Sequence, residues 1–196
     1  MSWSQTSGGR PYHLGNLRSL LLDEARRILV TSGPGKLNLR TLAGRVGIAP
    51  GSVYHHYASK HALLANLAAE GFGDLERALT TAAEADPSTP IRASALAYFD
   101  FARRLTPLYG LMFDPLVLAE PEVGAARDRA FNVLRSAIGA AASQQDRAPD
   151  TVLKIALAVW ACGHGAATMT LADPEGQQGQ LMEDVIQGLE ALFRRR

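Results

Sequence analysis

The sequence predicts an all-α protein in two parts, a small N-terminal helix-turn-helix unit and a larger helical body. Three observations carry that expectation. Apolar residues recur at helical spacing along most of the chain, nothing alternates with period two over a useful length, and Gly/Pro clusters fall between the helical stretches. At 196 residues and 47% hydrophobic content the chain can bury a real core, enough for one small and one larger domain. The expected boundaries are a flexible arm over 1–13, a helix-turn-helix domain over 14–61, and a body over 62–196.

The opening segment, MSWSQTSGGRPYH, is polar and holds no apolar run of signal-peptide length, so it reads as an arm. Its Arg10 can reach phosphates or a minor groove, although an idle tail is the simpler reading. A helix follows and ends near Gly33. Asn38 is then a natural N-cap for a helix whose Leu39, Leu42, Ala43 and Val46 share one face. Gly47 supplies the turn and Ile48 plugs the angle. Pro50 occupies the first turn of the next helix, where its fixed φ and missing N–H cost least. From that helix, expected over Pro50 to Tyr57, Val53 and Tyr57 face inward. Ser52, Tyr54, His55 and His56 are left outward, a set suited to phosphates and base edges. Ser59 caps the helix that begins Lys60, His61, Ala62, Leu63, Leu64.

Charge supports the same partner. Residues 1–61 hold eight Lys/Arg against two acids, a net of +6, while the remainder holds twelve against seventeen, a net of −5. The overall +1 thus hides a basic reader joined to an acidic body. The three histidines His55, His56 and His61 do not read as a metal site, because no Cys or carboxylate cluster completes one. The lone Cys162 excludes an internal disulfide and suits a reducing cytoplasm.

The run Tyr54-His55-His56-Tyr57, then Ser59-Lys60, then Leu63-Leu64, with Leu42, Ala43, Val46 and Gly47 upstream, closely resembles the DNA-binding domain of the TetR family of transcriptional regulators. The resemblance covers roughly residues 14 to 70. It implies an N-terminal three-helix DNA-binding domain followed by a C-terminal helical ligand-binding and dimerisation domain. It also implies that the helix from Pro50 enters the major groove of double-stranded DNA, at a palindromic operator. On that reading Arg40, Thr41, Tyr54 and Lys60 mainly hold phosphates, Gly51, Ser52 and His55 approach base edges, and His56 stands beside them. Gly51 departs from the larger residue the family often carries there. Its missing side chain lets the backbone come close to a base.

Beyond residue 60, Leu63, Leu64, Leu67, Ala68, Phe72, Leu75 and Leu79 continue one helical period until Asp86-Pro87. The next helix carries Ile91, Ala95, Tyr98, Phe99, Ala102 and Leu105. Pro107 interrupts it, and the apolar segment Leu108–Phe113 stops at Asp114-Pro115. A further helix is expected over Glu122 to Ala142. Ile155 to Ala172 is free of Lys, Arg, Asp and Glu over eighteen residues, long enough for a membrane span. Its Ala/Gly content, its His164, Thr168 and Thr170, and the lack of cationic flanks argue instead for a helix buried on all sides. The last helix, Gln180 to Arg196, aligns Leu181, Val185, Ile186, Leu189, Leu192 and Phe193, and Arg194 to Arg196 suit its negative end. Gly163 and Ala167, one turn apart, and the Leu181–Phe193 stripe are the expected homodimer surface.

Trp160, His164 and Gly165, with Pro107, Tyr109, Met112 and Phe113 upstream, resemble the Trp-His-Gly type of C-terminal domain in one branch of the family. The resemblance implies a pocket among these helices. Its expected lining is Tyr98, Phe101, Tyr109, Met112, Phe113, Phe131, Trp160 and His164, although an aromatic and methionine set at helical spacing is equally the makings of a core. The reading is a cytoplasmic, homodimeric transcriptional repressor that a small hydrophobic effector releases from DNA, with no cofactor, no metal and no membrane partner. A constitutive DNA-binding dimer is the rival. A small helical enzyme using Cys162 or His164 is disfavoured, because no nucleophile–base constellation, nucleotide loop or metal motif accompanies them.

Overall fold

The computed structural model describes residues 17–143, 149–172 and 178–193. The expected arm with Arg10, the Arg194–Arg196 cap, and the side chains of Leu192 and Phe193 lie outside the described residues. Among those described there are helices and no strand. The chain divides into two compact units, Met1–Lys60 and His61–Arg196.

In the first unit, α1 (Leu17–Ser32) buries Leu17, Leu21, Ala25 and Ile28 along one stripe, with Leu22 and Leu29 beside it. A 3-10 turn (Pro34–Lys36) follows and delivers the fully buried Leu37. α2 (Leu39–Val46) is capped by Asn38, whose side chain accepts from the Thr41 N–H at 2.8 Å. Gly47 closes it at φ 76°, ψ 34°, the left-handed conformation an L side chain adopts only under strain. The N–H of Ile48 returns to the Ala43 carbonyl at 3.0 Å. α3 spans Pro50–Tyr54, shorter than the Pro50–Tyr57 expected. It ends because the Val53 carbonyl accepts from both His56 and Tyr57, at 3.0 and 2.9 Å, and Tyr57 turns into the core.

The second unit begins along α4 (Lys60–Ala85), whose Leu63, Leu67, Phe72, Leu75 and Leu79 are buried. Asp86 ends it as a turn anchor. Its carboxylate accepts from Ser88 and Thr89 hydroxyls and N–H groups, and the Ser88 hydroxyl, then that of Thr89, hold its pKa down to about 2. Prolines set most of the remaining starts: α5 (Pro90–Arg104), α6 (Thr106–Met112, Pro107 in its first turn), α7 (Pro115–Leu118), α8 (Pro121–Ser143) and α9 (Pro149–Ala172). Asp114 caps α7 by accepting from the N–H groups of Leu116 and Val117. α10 spans Gln178–Phe193. The expected helix over Glu122–Ala142 is therefore α8, one residue longer at each end.

Within one subunit, the helix expected to be buried all round is not. α9 packs on α5, α8 and α10, and Ala156, Val159, Ala166 and Ala167 are buried there. Leu153, Leu157, Ala161, Gly165 and Met169, spaced four apart, form an exposed apolar stripe along it. An unbroken apolar composition hides the phase of a helix, which is why periodicity misplaced this face. The correction moves the small residues available for close approach from Gly163 and Ala167 to Ala161 and Gly165. Leu189 moves too: it packs inward against the cluster of Leu134, Ile138, Ala156 and Val159.

Gly47→Ala tests the turn. A Cβ there meets nothing within 4 Å, so the whole cost is backbone strain at φ +76°. Urea unfolding should show a loss of about 1–2 kcal/mol; an unchanged midpoint would mean the turn relaxes freely.

Candidate functional site

The first unit presents a polar face built on α2 and α3. Arg40 and Thr41 are exposed at the start of α2, where Asn38 already satisfies the Thr41 N–H. On α3 and the turn after it, Pro50, Gly51, Tyr54 and His55 are exposed, with Ser52 and His56 half-buried. Tyr54 is 53% exposed, a large ring no core requires there. Val53 and Tyr57 anchor this surface from below. The Tyr57 hydroxyl donates to the Arg18 carbonyl at 3.4 Å, and the Arg18 guanidinium lies 5.5 Å from the ring centroid. A Cβ on Gly51 would meet nothing within 4 Å, so the fold does not demand a glycine at that position.

Lys60 is half-buried and donates from Nζ to the Pro34 carbonyl at 2.9 Å, tying the 3-10 turn to the end of this unit. An ammonium carries three donors, so two remain for other acceptors. The basic excess is partly structural. Glu24, 6% exposed on the core face of α1, accepts from Arg27, and from Arg45 at 3.2 Å. Sequence reasoning passed over Glu24; its signal was an acid in phase with Leu17, Leu21 and Ile28. His61 belongs to the second unit, where its Nε2 lies 2.7 Å from Glu120 Oε1. Among the described residues no group of three or more His, Cys, Asp or Glu is placed to hold a metal ion.

In the second unit a cavity of about 40 Å³ opens between α4, α5, α8, α9 and α10. Tyr98 and Trp160 of the expected set line it, together with Ser94, Ala95, Phe99 and Leu189 among others. Phe101, Tyr109, Met112, Phe113, Phe131 and His164 lie outside its wall. Phe101, Tyr109 and Met112 are buried and Phe113, Phe131 and His164 half-buried: Phe131 meets Trp160 edge-on at 5.6 Å, Trp160 meets Tyr98 at 5.4 Å, and Tyr109 meets Phe113 at 4.9 Å. Met112 is fully buried against Gly71, where an added Cβ would come within 2.8 Å of its Sδ. Ser94 was missed. It is 1% exposed, and its Oγ has no hydrogen-bond partner among the described residues. The signal was a serine on the apolar stripe of α5, three residues after Ile91 and four before Tyr98.

Behind the cavity wall runs a hydrogen-bonded chain. Tyr98 Oη lies 2.9 Å from Tyr109 Oη, which lies 2.7 Å from His164 Nδ1. Burial pushes both phenols up, Tyr109 to about 12 and Tyr98 beyond the usual phenol range, so both keep their protons. Each proton finds an acceptor only if Tyr98 donates to Tyr109 and Tyr109 donates to Nδ1. His164 is then the neutral Nε2–H tautomer. Phe113 supports its ring at 4.1 Å between centroids.

Comparison with known proteins decides the family. The family described as "Tetracyclin repressor-like, C-terminal domain" matches residues 91–194, and "Bacterial regulatory proteins, tetR family" matches residues 21–67. The chain belongs to the TetR family. Over 65 residues it is 38% identical to the HTH-type transcriptional repressor Rv1474c of Mycobacterium tuberculosis, a match covering 33% of each chain. The match thus spans about a third of that relative's length. A solved protein of unknown function from Rhodococcus sp. RHA1 is 29% identical with TM-score 0.79, over 92% of this chain and 97% of its own. The TetR-family regulator ECA1819 from Pectobacterium atrosepticum shares the fold at TM-score 0.71 and 18% identity, over 92% and 93% of the two chains. TetR-family proteins are DNA-binding transcriptional regulators, so this chain is a regulator and not an enzyme. The α2–α3 face lies in the part matched by the DNA-binding family, and the cavity and the tyrosine–histidine chain lie mostly in the part matched by the C-terminal one.

The chain from Tyr98 to His164 makes acid costly to this TetR-family body. Burial lowers the His164 pKa below 6.5, so below 6.5 the unfolded state binds the proton first. Stability is therefore full above that value and is lost as pH falls toward the lowered pKa. His164→Asn should lessen the fall in melting temperature between about pH 7.5 and about pH 5. A variant with the same pH profile as the parent would remove His164 from the account.

Proposed function

We propose that this TetR-family protein is a cytoplasmic homodimeric repressor that a small hydrophobic effector releases from a palindromic operator. In this reading α3 enters the major groove. Arg40, Thr41, Tyr54 and Lys60 hold phosphates, Gly51, Ser52 and His55 approach base edges, and Pro50 and His56 frame them. That Gly51 is not required by the fold supports a role at the DNA. The observation that carries the effector half is the apolar cavity lined by five helices of the unit that does not carry the helix-turn-helix.

DNA from beside the gene, titrated by fluorescence anisotropy, should bind with a steep salt dependence. Arg40→Ala should flatten the slope by about one per copy, hence about two for a dimer. Gly51→Ala should keep or raise thermal stability, since it adds helix propensity, yet change base preference. Binding indifferent to salt would sink the DNA half. Apolar compounds should raise the melting temperature and lower operator affinity; a hundredfold loss needs about 2.7 kcal/mol of coupling. If a broad panel stabilises nothing, the protein is a constitutive DNA-binding dimer.

The dimer is assigned to the exposed stripe of α9, where Ala161 and Gly165 permit close approach between Leu157 and Met169. Two operator half-sites then require recognition helices about 34–36 Å apart, or a multiple. Leu157→Arg should give monomers by light scattering at micromolar concentration and abolish tight operator binding. Cys162, exposed within the subunit and flanking the stripe, should react faster with thiol reagents in that variant than in the parent. A dimeric Leu157→Arg protein would place the interface elsewhere.

A further inference from the structure

The cavity in the second unit carries information about what can enter it. Its wall comprises Leu, Ala, Val, Ile, Phe and Gly side chains, together with Tyr98, Trp160 and Ser94. Among the described residues, no carboxylate, ammonium, guanidinium or imidazole lines it. The Tyr98 hydroxyl is committed to Tyr109. The nearby pair Arg92–Glu183, joined at 2.7 and 2.8 Å, neutralises itself and does not line the cavity. Ser94 is the exception: a hydroxyl at 1% exposure with no partner among the described residues. Leaving such a group unbonded is unfavourable, and Ser94 is one of the residues that line the cavity.

Water is a poor occupant. About 40 Å³ has room for two or three molecules, but an ordered water needs two to four polar partners and, among the described residues, this wall offers one uncommitted hydroxyl. A charged ligand is worse placed, because its charge would be buried with no counter-ion and one hydrogen bond. What fits is an apolar body bearing one uncharged oxygen.

We infer that Ser94 is the polar anchor of an effector site whose ligand is a neutral, largely hydrocarbon molecule with a single hydrogen-bonding oxygen, seated between α5, α9 and α10. The inference rests on the effector reading above only in using the same cavity. Ser94 Oγ donates to the ligand oxygen, and the hydrocarbon lies along Val159, Trp160 and Leu189. Carboxylates of the same length are excluded by desolvation. Ser94 sets the class of ligand, and the apolar wall sets its size.

Three six-carbon probes separate these statements: 1-hexanol, n-hexane and hexanoate. They are titrated against the full chain carrying Trp3→Phe, so that Trp160 in the cavity wall is the sole tryptophan reporter. 1-Hexanol should bind, and Ser94→Ala should weaken it by about threefold to tenfold, the range of one net hydrogen bond. n-Hexane should bind the parent and Ser94→Ala alike, and hexanoate should bind neither. Without probe, Ser94→Ala should melt at or above the parent temperature, since it removes an unbonded polar group. A lower melting temperature would show that the hydroxyl is already bonded in the folded protein and overturn the anchor. So would equal losses for 1-hexanol and n-hexane, preferential binding of hexanoate, or no binding of 1-hexanol to the parent. Operator binding measured in parallel keeps the two readings apart. If Ser94 discriminates between probes while none alters DNA affinity, the anchor stands and the effector function falls; if probes release DNA but Ser94→Ala changes nothing, the anchor falls.

Discussion

The body of this protein is organised around one helix with no charge from Ile155 to Ala172. Such a helix is apolar on every side, and α9 divides its faces into three sectors. Ala156, Val159 and Ala167 face the core against α5, α8 and α10. Trp160, Gly163 and His164 face the aromatic chain and the cavity. Leu153, Leu157, Ala161, Gly165 and Met169 are left outward. A buried leucine contributes roughly 1.5–3 kcal/mol relative to an exposed one, so two leucines and a methionine on one stripe represent a substantial drive toward a covering partner. The same helix thus lines the cavity and carries the stripe.

The reader solves a different problem, which is to hold short helices rigid with little core. α2 and α3 together have thirteen residues, too few to be stable alone, and depend on α1 and on the turn between them. Glu24 contributes from α1 by accepting from Arg45 of α2 as well as from Arg27. Breaking a pair at a buried acid is costly, because the remaining charge is left without compensation. Two of the basic residues that make this unit electropositive are therefore committed to its own structure. The charge available to DNA is carried in part by the exposed Lys36 and Arg40.

Much of this was legible in the sequence because the signals were local. The Asn38 cap, the Gly47 turn and Pro50 are each read within four residues, and the family motif adds the positions after them. In the body the sequence marks Pro107 as an interruption and Asp114-Pro115 as a stop, whereas in the structure each begins a short helix, α6 and α7. What the sequence concealed was phase. On an amphipathic helix the inward face is obvious, and Glu24 and Ser94 could both have been singled out as polar residues on an apolar stripe. On α9 every face is apolar, so nothing in its composition separates Gly163 and Ala167, turned inward, from Ala161 and Gly165, turned out. The aromatic residues of α5, α6 and α9 were correctly gathered into one region. Which of them would border empty space and which would fill it depends on packing that no spacing encodes.

The small size of the cavity has a consequence for regulation. A ligand shifts a conformational equilibrium only to the extent that it binds one state more tightly than another. A roomy, preformed pocket can bind its ligand and change nothing. The cavity of about 40 Å³ is no such roomy pocket: a ligand of several carbons reaching into it presses on wall side chains such as Leu189 and Trp160. To the extent that it binds better with those side chains displaced, it favours an expanded arrangement over the packed one. Tyr98 ties that wall to Tyr109 of α6 and His164 of α9 through hydrogen bonds of 2.9 and 2.7 Å. Expansion at Tyr98 must either carry those partners along or break the chain, so the response to a ligand extends beyond the cavity wall to α6.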